Sequence, residues 1–217
     1  MRKLLVTIAS LTLLGLATPL MAADVPTDDV ADMLAFMREE EKLAHDVYLL
    51  FSEMYAGEEG GPKIFAHITE SEQRHSEAVL ELLIEYGLPD PAAGLPPGVF
   101  QNAELQALYT TLIDVGDSGY TEALGVGVVI EQKDMTDIVA AIELSVAYAD
   151  IVQVYSNLLA SSERHLAAFL KALDTAEPGA ASLGTLPEST DSTSRSLRAT
   201  QPLARQPGLG TSPHGSR

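Results

Sequence analysis

Residues 65–86 read FAHITESEQRHSEAVLELLIEY, and this stretch decides the fold class. Steps of alternately three and four residues, the spacing of one face of a helix, connect seven positions along it. Five of these positions are apolar or aromatic, whereas the two in the middle are ionisable. In chain order they are Phe65, Ile68, Glu72, His75, Val79, Leu82 and Tyr86. The pattern predicts a helix with a buried apolar face and two polar side chains at its centre.

Three other long segments of the 217-residue chain show the same apolar series with a polar centre. The side chains that interrupt these series are Glu41, then Glu131 and Asp134, then Ser162 and His165. No segment shows a convincing alternation of apolar and polar residues, the pattern typical of strands, so the sequence predicts an all-α protein. The four long helices are predicted over residues 28–55, 63–86, 120–145 and 150–173.

Helix-stop residues and connection lengths predict how these helices pack. A turn rich in Gly, with Pro62, follows the first helix, and only a few residues separate the third from the fourth. Each of these pairs should therefore form an antiparallel hairpin. The roughly 30-residue connection between the hairpins, with a short helix over 102–115, is long enough to cross the bundle. We expect a ferritin-like antiparallel four-helix bundle with one long crossover.

The two ends of the chain differ from residues 24–175, the predicted folded domain. Arg2 and Lys3 precede a mostly apolar stretch that ends near Pro19, which is the pattern of a secretory signal peptide over residues 1–23. We expect a periplasmic or extracellular protein that keeps no stable membrane anchor after cleavage. Residues 176–217 are rich in Ser, Thr, Gly and Pro and predict a disordered tail.

The charge is strongly acidic and lies in the middle of the chain. There are 31 Asp and Glu against 13 Lys and Arg, and the formal net charge is −18. The signal and the tail are slightly basic, so residues 24–175 carry −21. This charge disfavours nucleic acid as a partner, because phosphates would be repelled. The absence of Cys excludes disulfides, thiolate metal sites and cysteine nucleophiles.

The polar centres of the four helices predict a metal site. A carboxylate buried without a partner is costly, so natural cores contain one only where a cation or another partner compensates it. Four carboxylates and two imidazoles suit a pair of divalent ions, and oxygen and nitrogen donors without sulfur suit iron or manganese, with zinc less specific. The predicted ligands are Glu41, Glu72, His75, Glu131, Asp134 and His165.

Periodicity leaves some assignments open. A second series on the first helix is equally regular and passes through Glu40 instead of Glu41, so spacing does not choose between them. Glu39 is expected to be solvated. His165 could be a core histidine with ordinary hydrogen bonds, because Ser162, one turn earlier, offers no carboxylate. The position of the other predicted ligands between apolar residues disfavours the alternative that they lie on exposed faces.

Several neighbouring residues also have expected roles. Gly125 and Gly127 should permit close helix approach around Glu131. Tyr48 and Tyr155 are interpreted as packing residues, with a role beside the metals left open. Asp46 either orients a ligand histidine or is solvated.

Four fragments together resemble the DUF2202 family of ferritin-like, rubrerythrin-type di-iron proteins. They are residues 38–44 (REEEKLA), 71–75 (SEQRH), 123–127 (ALGVG) with Ile130 and Glu131, and 165–169 (HLAAF). The resemblance covers roughly residues 30–173. It favours Glu41 over Glu40, because Ala44 and Tyr48 follow in phase with Glu41. The sequence departs from the usual di-iron pattern at Ser162, where a second Glu-x-x-His motif would have its Glu; Asp134 can supply the missing carboxylate.

The resemblance implies redox chemistry at two metal ions, with iron expected and manganese or zinc as alternatives. The outcome would be ferroxidase-like iron oxidation, or reduction of dioxygen or peroxide; sustained peroxide reduction would need an external electron donor. One alternative is a metal-binding or metal-handling protein without turnover. A weaker alternative is a structural bundle that binds a protein partner. The sequence leaves the oligomeric state open.

Overall fold

A computed structural model of the protein describes residues 25–57 and 61–176. These ranges contain five α-helices and no strand, so the predicted all-α class is confirmed. The helices are α1 (Asp28–Met54), α2 (Gly61–Glu85), α3 (Ala103–Gly116), α4 (Tyr120–Leu144) and α5 (Ala149–Ala176). None of them is sufficiently long and apolar to cross a bilayer. The predicted signal peptide, and the predicted tail beyond Ala176, lie outside the described residues.

Side chains at the helix starts explain several of these bounds. The Thr27 hydroxyl accepts a hydrogen bond from the Val30 N–H at the start of α1. At the start of α3, the Asn102 side chain accepts hydrogen bonds from two backbone N–H groups. The last helix was predicted to begin at residue 150, and α5 begins one residue earlier, at Ala149. Asp150 lies in the first turn and accepts a hydrogen bond from the Tyr86 hydroxyl at 2.6 Å.

The helices form two hairpins. The short connections after α1 and α4 reverse the chain, and α1 packs mainly on α2 while α4 packs mainly on α5. Contacts between α1 and α4 and between α2 and α5 join the hairpins, and α3 packs on α1 and α4. The segment from α2 to α4, including α3, is the long connection that the sequence predicted.

The described core has two apolar clusters. In each of the four long helices, the polar central residues separate the residues that join one cluster from those that join the other. The first cluster includes Tyr48, Phe51, Phe65, Leu124 and Phe169. The second cluster includes Leu34, Met37, Val79, Ile138 and Tyr155. On α1, α2, α4 and α5 alike, one part of the helix contributes to the first cluster and another part to the second. The ionisable residues therefore form a layer across the middle of the bundle, with a hydrophobic cluster on either side.

Close approach of α4 and α5 requires a glycine at only one of the two predicted positions. A Cβ atom on Gly127 would lie 2.6 Å from the ring of Phe169, which is fully buried. A Cβ atom on Gly125 would have no heavy atom within 4 Å. The prediction for Gly127 is thus confirmed, whereas the same prediction for Gly125 is wrong, because Gly125 lies on a face of α4 where nothing packs closely.

Candidate metal centre

The polar layer contains all six predicted ligands, and each of them is buried. None is more than 8% exposed, and three carboxylates are only 1% exposed. The six come from four helices: Glu41 from α1, Glu72 and His75 from α2, Glu131 and Asp134 from α4, and His165 from α5.

Glu72 lies between the two imidazole rings. Its Oε2 atom is 2.8 Å from Nδ1 of His75, and its Oε1 atom is 2.7 Å from Nδ1 of His165. The two rings are stacked, with centroids 5.6 Å apart and an interplanar angle of 24°. One carboxylate thus presents each of its oxygens to a different histidine.

Two groups of three side chains converge, and they share Glu72. In the first triad, Glu41, Glu72 and His75 each offer one ligand atom, and these atoms lie within 4.8 Å of one another. In the second triad, Glu72, Glu131 and His165 do the same. Glu41 Oε2 is 3.4 Å from Nδ1 of His75, and Glu131 Oε2 is 3.5 Å from Nδ1 of His165.

The atoms that face each other across this layer are not satisfied by hydrogen bonds. Both oxygens of Glu41, Oε1 of Glu72 and the Nδ1 atoms of His75 and His165 have no hydrogen-bond partner among the described residues. The histidine and carboxylate atoms are within ion-pair distance, but they lack the alignment of a hydrogen bond. Oxygen and imidazole nitrogen donors that converge without bonding one another fit a divalent cation. The cluster could hold a metal.

Two serines contact the outer nitrogens of the histidines. Ser71 Oγ lies 3.5 Å from Nε2 of His75, Ser161 Oγ lies 3.3 Å from Nε2 of His165, and the two hydroxyls are 3.3 Å apart. An Nε2–H group that donates to a serine leaves the Nδ1 lone pair directed at the carboxylates. Our sequence reasoning missed both serines, although each lies four residues before its histidine, one helical turn away.

Tyr48 positions Glu131. Its hydroxyl is fully buried and donates to Oε1 of Glu131 at 2.7 Å, which leaves Oε2 on the side of His165. Burial, and then the charges of Glu131 and Glu72, raise the pKa of Tyr48 well above its ordinary value, so the hydroxyl keeps its proton. Tyr48 therefore contacts a predicted ligand directly in addition to packing in the core.

Asp134 lies in the layer but belongs to neither triad. Its Oδ2 atom is 2.6 Å from the hydroxyl of Ser162, which is also 3.1 Å from the Leu158 carbonyl. Its Oδ1 atom has no hydrogen-bond partner among the described residues. Burial, followed by the nearby Glu41 charge, raises the pKa of Asp134 well above its ordinary value. Ser162, the departure from the di-iron pattern, thus contacts the carboxyl group that was predicted to replace the missing one.

The two adjacent glutamates of α1 have different partners. Glu41 joins the first triad, whereas Glu40 accepts a hydrogen bond from the ammonium of Lys133 on α4. The structure therefore brings Glu41, the residue that the resemblance favoured, to Glu72 and His75.

Two further expectations for α1 are wrong. Glu39 was expected in solvent, but it is buried and accepts hydrogen bonds from the backbone N–H groups of Gln101 and Asn102. Asp46 neither orients a predicted ligand nor lies in solvent. It is buried and accepts a hydrogen bond from the Gly98 N–H at 2.8 Å. Both carboxylates hold the long connection on α1, a tertiary contact that helix periodicity does not reveal.

The electrostatics of the metal-free layer centre on Glu72. Burial alone raises the pKa of Glu72, but the adjacent His165 and His75 outweigh it and lower this pKa to about 2. Burial lowers the pKa of each histidine, yet the neighbouring carboxylates raise it to about 10 for His75 and about 9 for His165. Burial raises the pKa of Glu41 to about 8. Without metal, the layer thus holds protons that a bound cation would displace.

Comparison with known proteins identifies the family. The family described as "Uncharacterized protein domain (DUF2202)" matches residues 30–180. The uncharacterized protein MJ0754 of Methanocaldococcus jannaschii is 39% identical over 148 residues, which are 68% of this chain and 77% of that protein. The crystal structure of hypothetical protein MJ0754 from Methanococcus jannaschii matches with a TM-score of 0.65 and covers 69% of this chain and 82% of that one. The chain belongs to the DUF2202 family.

Proposed function

We propose that this protein binds two divalent metal ions in the polar layer, one at each triad, with Glu72 bridging them. Iron is the expected metal, and manganese and zinc are the alternatives. The observation that carries the proposal is the position of Glu72, whose two oxygens lie 2.8 Å and 2.7 Å from Nδ1 atoms of different histidines. Bridging carboxylates and histidines on facing helices are the usual ligands of dinuclear sites in helical bundles.

A purely structural ion-pair network would explain the layer less well. Buried polar groups in native proteins are nearly always hydrogen-bonded, because a missing partner costs about 1–3 kcal/mol for each group. Here several carboxylate oxygens and both Nδ1 atoms lack such partners among the described residues. Metal coordination would satisfy these atoms together, which supports the proposal over a network without metal.

We further propose that the site catalyses oxidation of ferrous iron, or reduction of dioxygen or peroxide, outside the cytoplasm. Two ferrous ions can give one electron each, and dioxygen then takes two electrons and two protons to form hydrogen peroxide. The side chains hold the arrangement: Tyr48 fixes Glu131, and the serines fix the histidine rings. The apolar clusters on either side limit access of water. The location rests on the predicted signal peptide over residues 1–23.

Metal content and iron oxidation test the proposal. The protein is purified without chelators for metal analysis, then loaded anaerobically with ferrous iron and exposed to air while ferric absorbance is followed. We expect about two metal ions per chain and oxidation faster than that of free iron. Glu72→Gln should remove both effects, because Glu72 belongs to both triads. Glu70→Gln removes the same charge from an exposed position of the same helix and should change neither.

Other outcomes would select the alternatives. Two bound ions with iron that oxidises no faster than free iron would contradict the redox proposal and indicate a metal-handling protein. A protein that binds no metal, and whose stability does not respond to chelator, would contradict every metal hypothesis and leave the structural bundle.

A further inference from the structure

An ion pair lies on the side of the polar layer, between α1 and α4. The ammonium of Lys133 contacts Oε1 of Glu40 and Oδ2 of Asp137, and it lies 5.0 Å from the centre of the Phe36 ring. The Asp137 side chain is 27% exposed, whereas that of Glu40 is only 5% exposed. The three residues Glu40, Lys133 and Asp137, here called the Lys133 cluster, therefore connect solvent with the buried edge of the layer.

The inner side of this cluster has oxygens without partners. Oε2 of Glu40, Oδ1 of Asp134 and the hydroxyl of Tyr155 are buried and have no hydrogen-bond partner within the described parts of the chain. All three residues are buried, and Tyr155 is fully so. Glu40 is adjacent in the chain to Glu41, and Lys133 is adjacent to Asp134, so the Glu40–Lys133 ion pair joins α1 and α4 at the turns that carry two predicted ligands. Carboxylates thus continue inwards from Asp137 through Glu40 and Asp134 to the first triad.

A metal ion needs such a path, because none of the predicted ligands is readily accessible. Apolar clusters adjoin the layer on both sides. A groove between α1, α2 and the long connection also contains paired charges, because Arg38 contacts Asp90 and Lys42 contacts Asp46. Asp46 attaches the long connection to α1 and is not part of the polar layer. The carboxylates between α1 and α4 instead lie beside predicted ligands, and the Lys133 ammonium already lies among them.

We propose that Glu40 and Asp137 form a surface site that admits divalent cations to the dinuclear centre, and that the Lys133 ammonium occupies this site until a cation displaces it. The proposal rests on the proposed metal-binding function and deepens it. Glu40 acts as an access residue and not as a ligand of either final site. The unpartnered Asp134 oxygen is the next oxygen ligand along the path.

The rate of metal uptake tests this role separately from metal binding at equilibrium. Metal-free protein is mixed with Co²⁺, and the visible absorption of the coordinated ion is followed by stopped flow. Glu40→Gln should slow uptake about tenfold or more, and Asp137→Asn by a smaller factor, because each removes attraction for the approaching cation. The final number of bound Co²⁺ ions should not change. Glu143→Gln, an equal loss of charge at an exposed position of α4, should leave the rate unchanged.

The outcomes distinguish the two proposals. Uptake by Glu40→Gln at the wild-type rate would overturn the access role while leaving the dinuclear site in place. A lower final stoichiometry in Glu40→Gln would also overturn it, since Glu40 would then be a ligand. Wild-type protein that takes up no Co²⁺ would overturn both proposals. If circular dichroism shows that Glu40→Gln does not fold, Asp137→Asn decides, and an unchanged rate in that variant overturns the access role.

Discussion

At the scale of single residues, the candidate site depends on how a few side chains are held. Glu72 contacts both histidines, and each histidine contacts a serine through its other nitrogen. Because Ser71 and Ser161 also contact each other, the two rings belong to one chain of polar contacts across α2 and α5. Partners of this kind typically contribute 10–100-fold to metal affinity without touching the metal.

Removal of the two serines should show this contribution. We expect Ser71→Ala and Ser161→Ala each to weaken metal binding about tenfold, because the histidine rings lose the contact that fixes their orientation. Titration with Co²⁺ in competition with a chelator measures the affinity. Since the hydroxyls contact each other, the double variant should lose less than the product of the single effects. If the effects of the two substitutions on metal affinity multiply in the double variant, the two serines do not act as a connected pair. If neither single variant changes the affinity, the serines do not orient the histidine rings for metal binding.

At the scale of helices and connections, close packing and buried acceptors set the geometry around the layer. Gly127 lets the Phe169 ring approach α4. Asp46 and Glu39 hold the long connection against α1 through backbone N–H groups. These contacts position the helices that carry the predicted ligands.

A pair of glycine variants tests the helix contact. Gly127→Ala should lower the free energy of unfolding by about 1–3 kcal/mol, because the added methyl group would overlap the buried Phe169 ring. Gly125→Ala should raise it by about 0.5–1 kcal/mol, since alanine favours the helix and the position is open. Urea unfolding of both variants measures the difference. Equal effects of the two substitutions would contradict the close approach at Gly127.

Low pH should weaken the contact by which Asp46 attaches the long connection to α1. Burial alone would raise the pKa of Asp46, but His45, Lys42 and the Gly98 N–H outweigh it and hold this pKa below its ordinary value of 3.8. A carboxyl group whose pKa is lower in the folded protein than in the unfolded chain stabilises the fold at any pH above its unfolded pKa. This stabilisation is lost as the pH falls through the pKa of the folded state. The wild-type free energy of unfolding should therefore fall more steeply below about pH 4 than that of Asp46→Asn. Exposed Asp32→Asn serves as the control; parallel curves for wild type and Asp46→Asn would contradict the prediction.

The sequence predicted the helices and the polar layer because both depend on periodicity. It could not choose Glu41 over Glu40 from spacing, since the choice depends on how α1 is rotated towards α2 and on the Lys133 partner of Glu40. Glu39 and Asp46 were misjudged because their partners are backbone N–H groups of a connection with no periodic pattern. That all six predicted residues bind metal stays a prediction, and Asp134 lies outside both triads.

At the scale of the whole molecule, metal binding should stabilise the fold. A ligand that binds only the folded state adds about 2.7 kcal/mol at a free concentration 100 times its dissociation constant. Removal of metal with a chelator should therefore lower the melting temperature, and added metal should restore it. Calorimetry of chelated, reloaded and untreated protein measures the effect. Glu72→Gln should melt at the same temperature with and without metal, and a chelator effect in that variant would contradict binding at the triads.

The two triads also differ in the parts of the chain that they join. Glu41, Glu72 and His75 all belong to the α1–α2 hairpin, whereas the second triad combines Glu72 with Glu131 of α4 and His165 of α5. The first site is thus local and can assemble within one hairpin during folding. The second exists only after the hairpins have docked, and its ion would cross-link them, closing a much longer loop of chain. Metal at the first triad should therefore leave the docking of the hairpins largely unchanged, while metal at the second triad should lock them together.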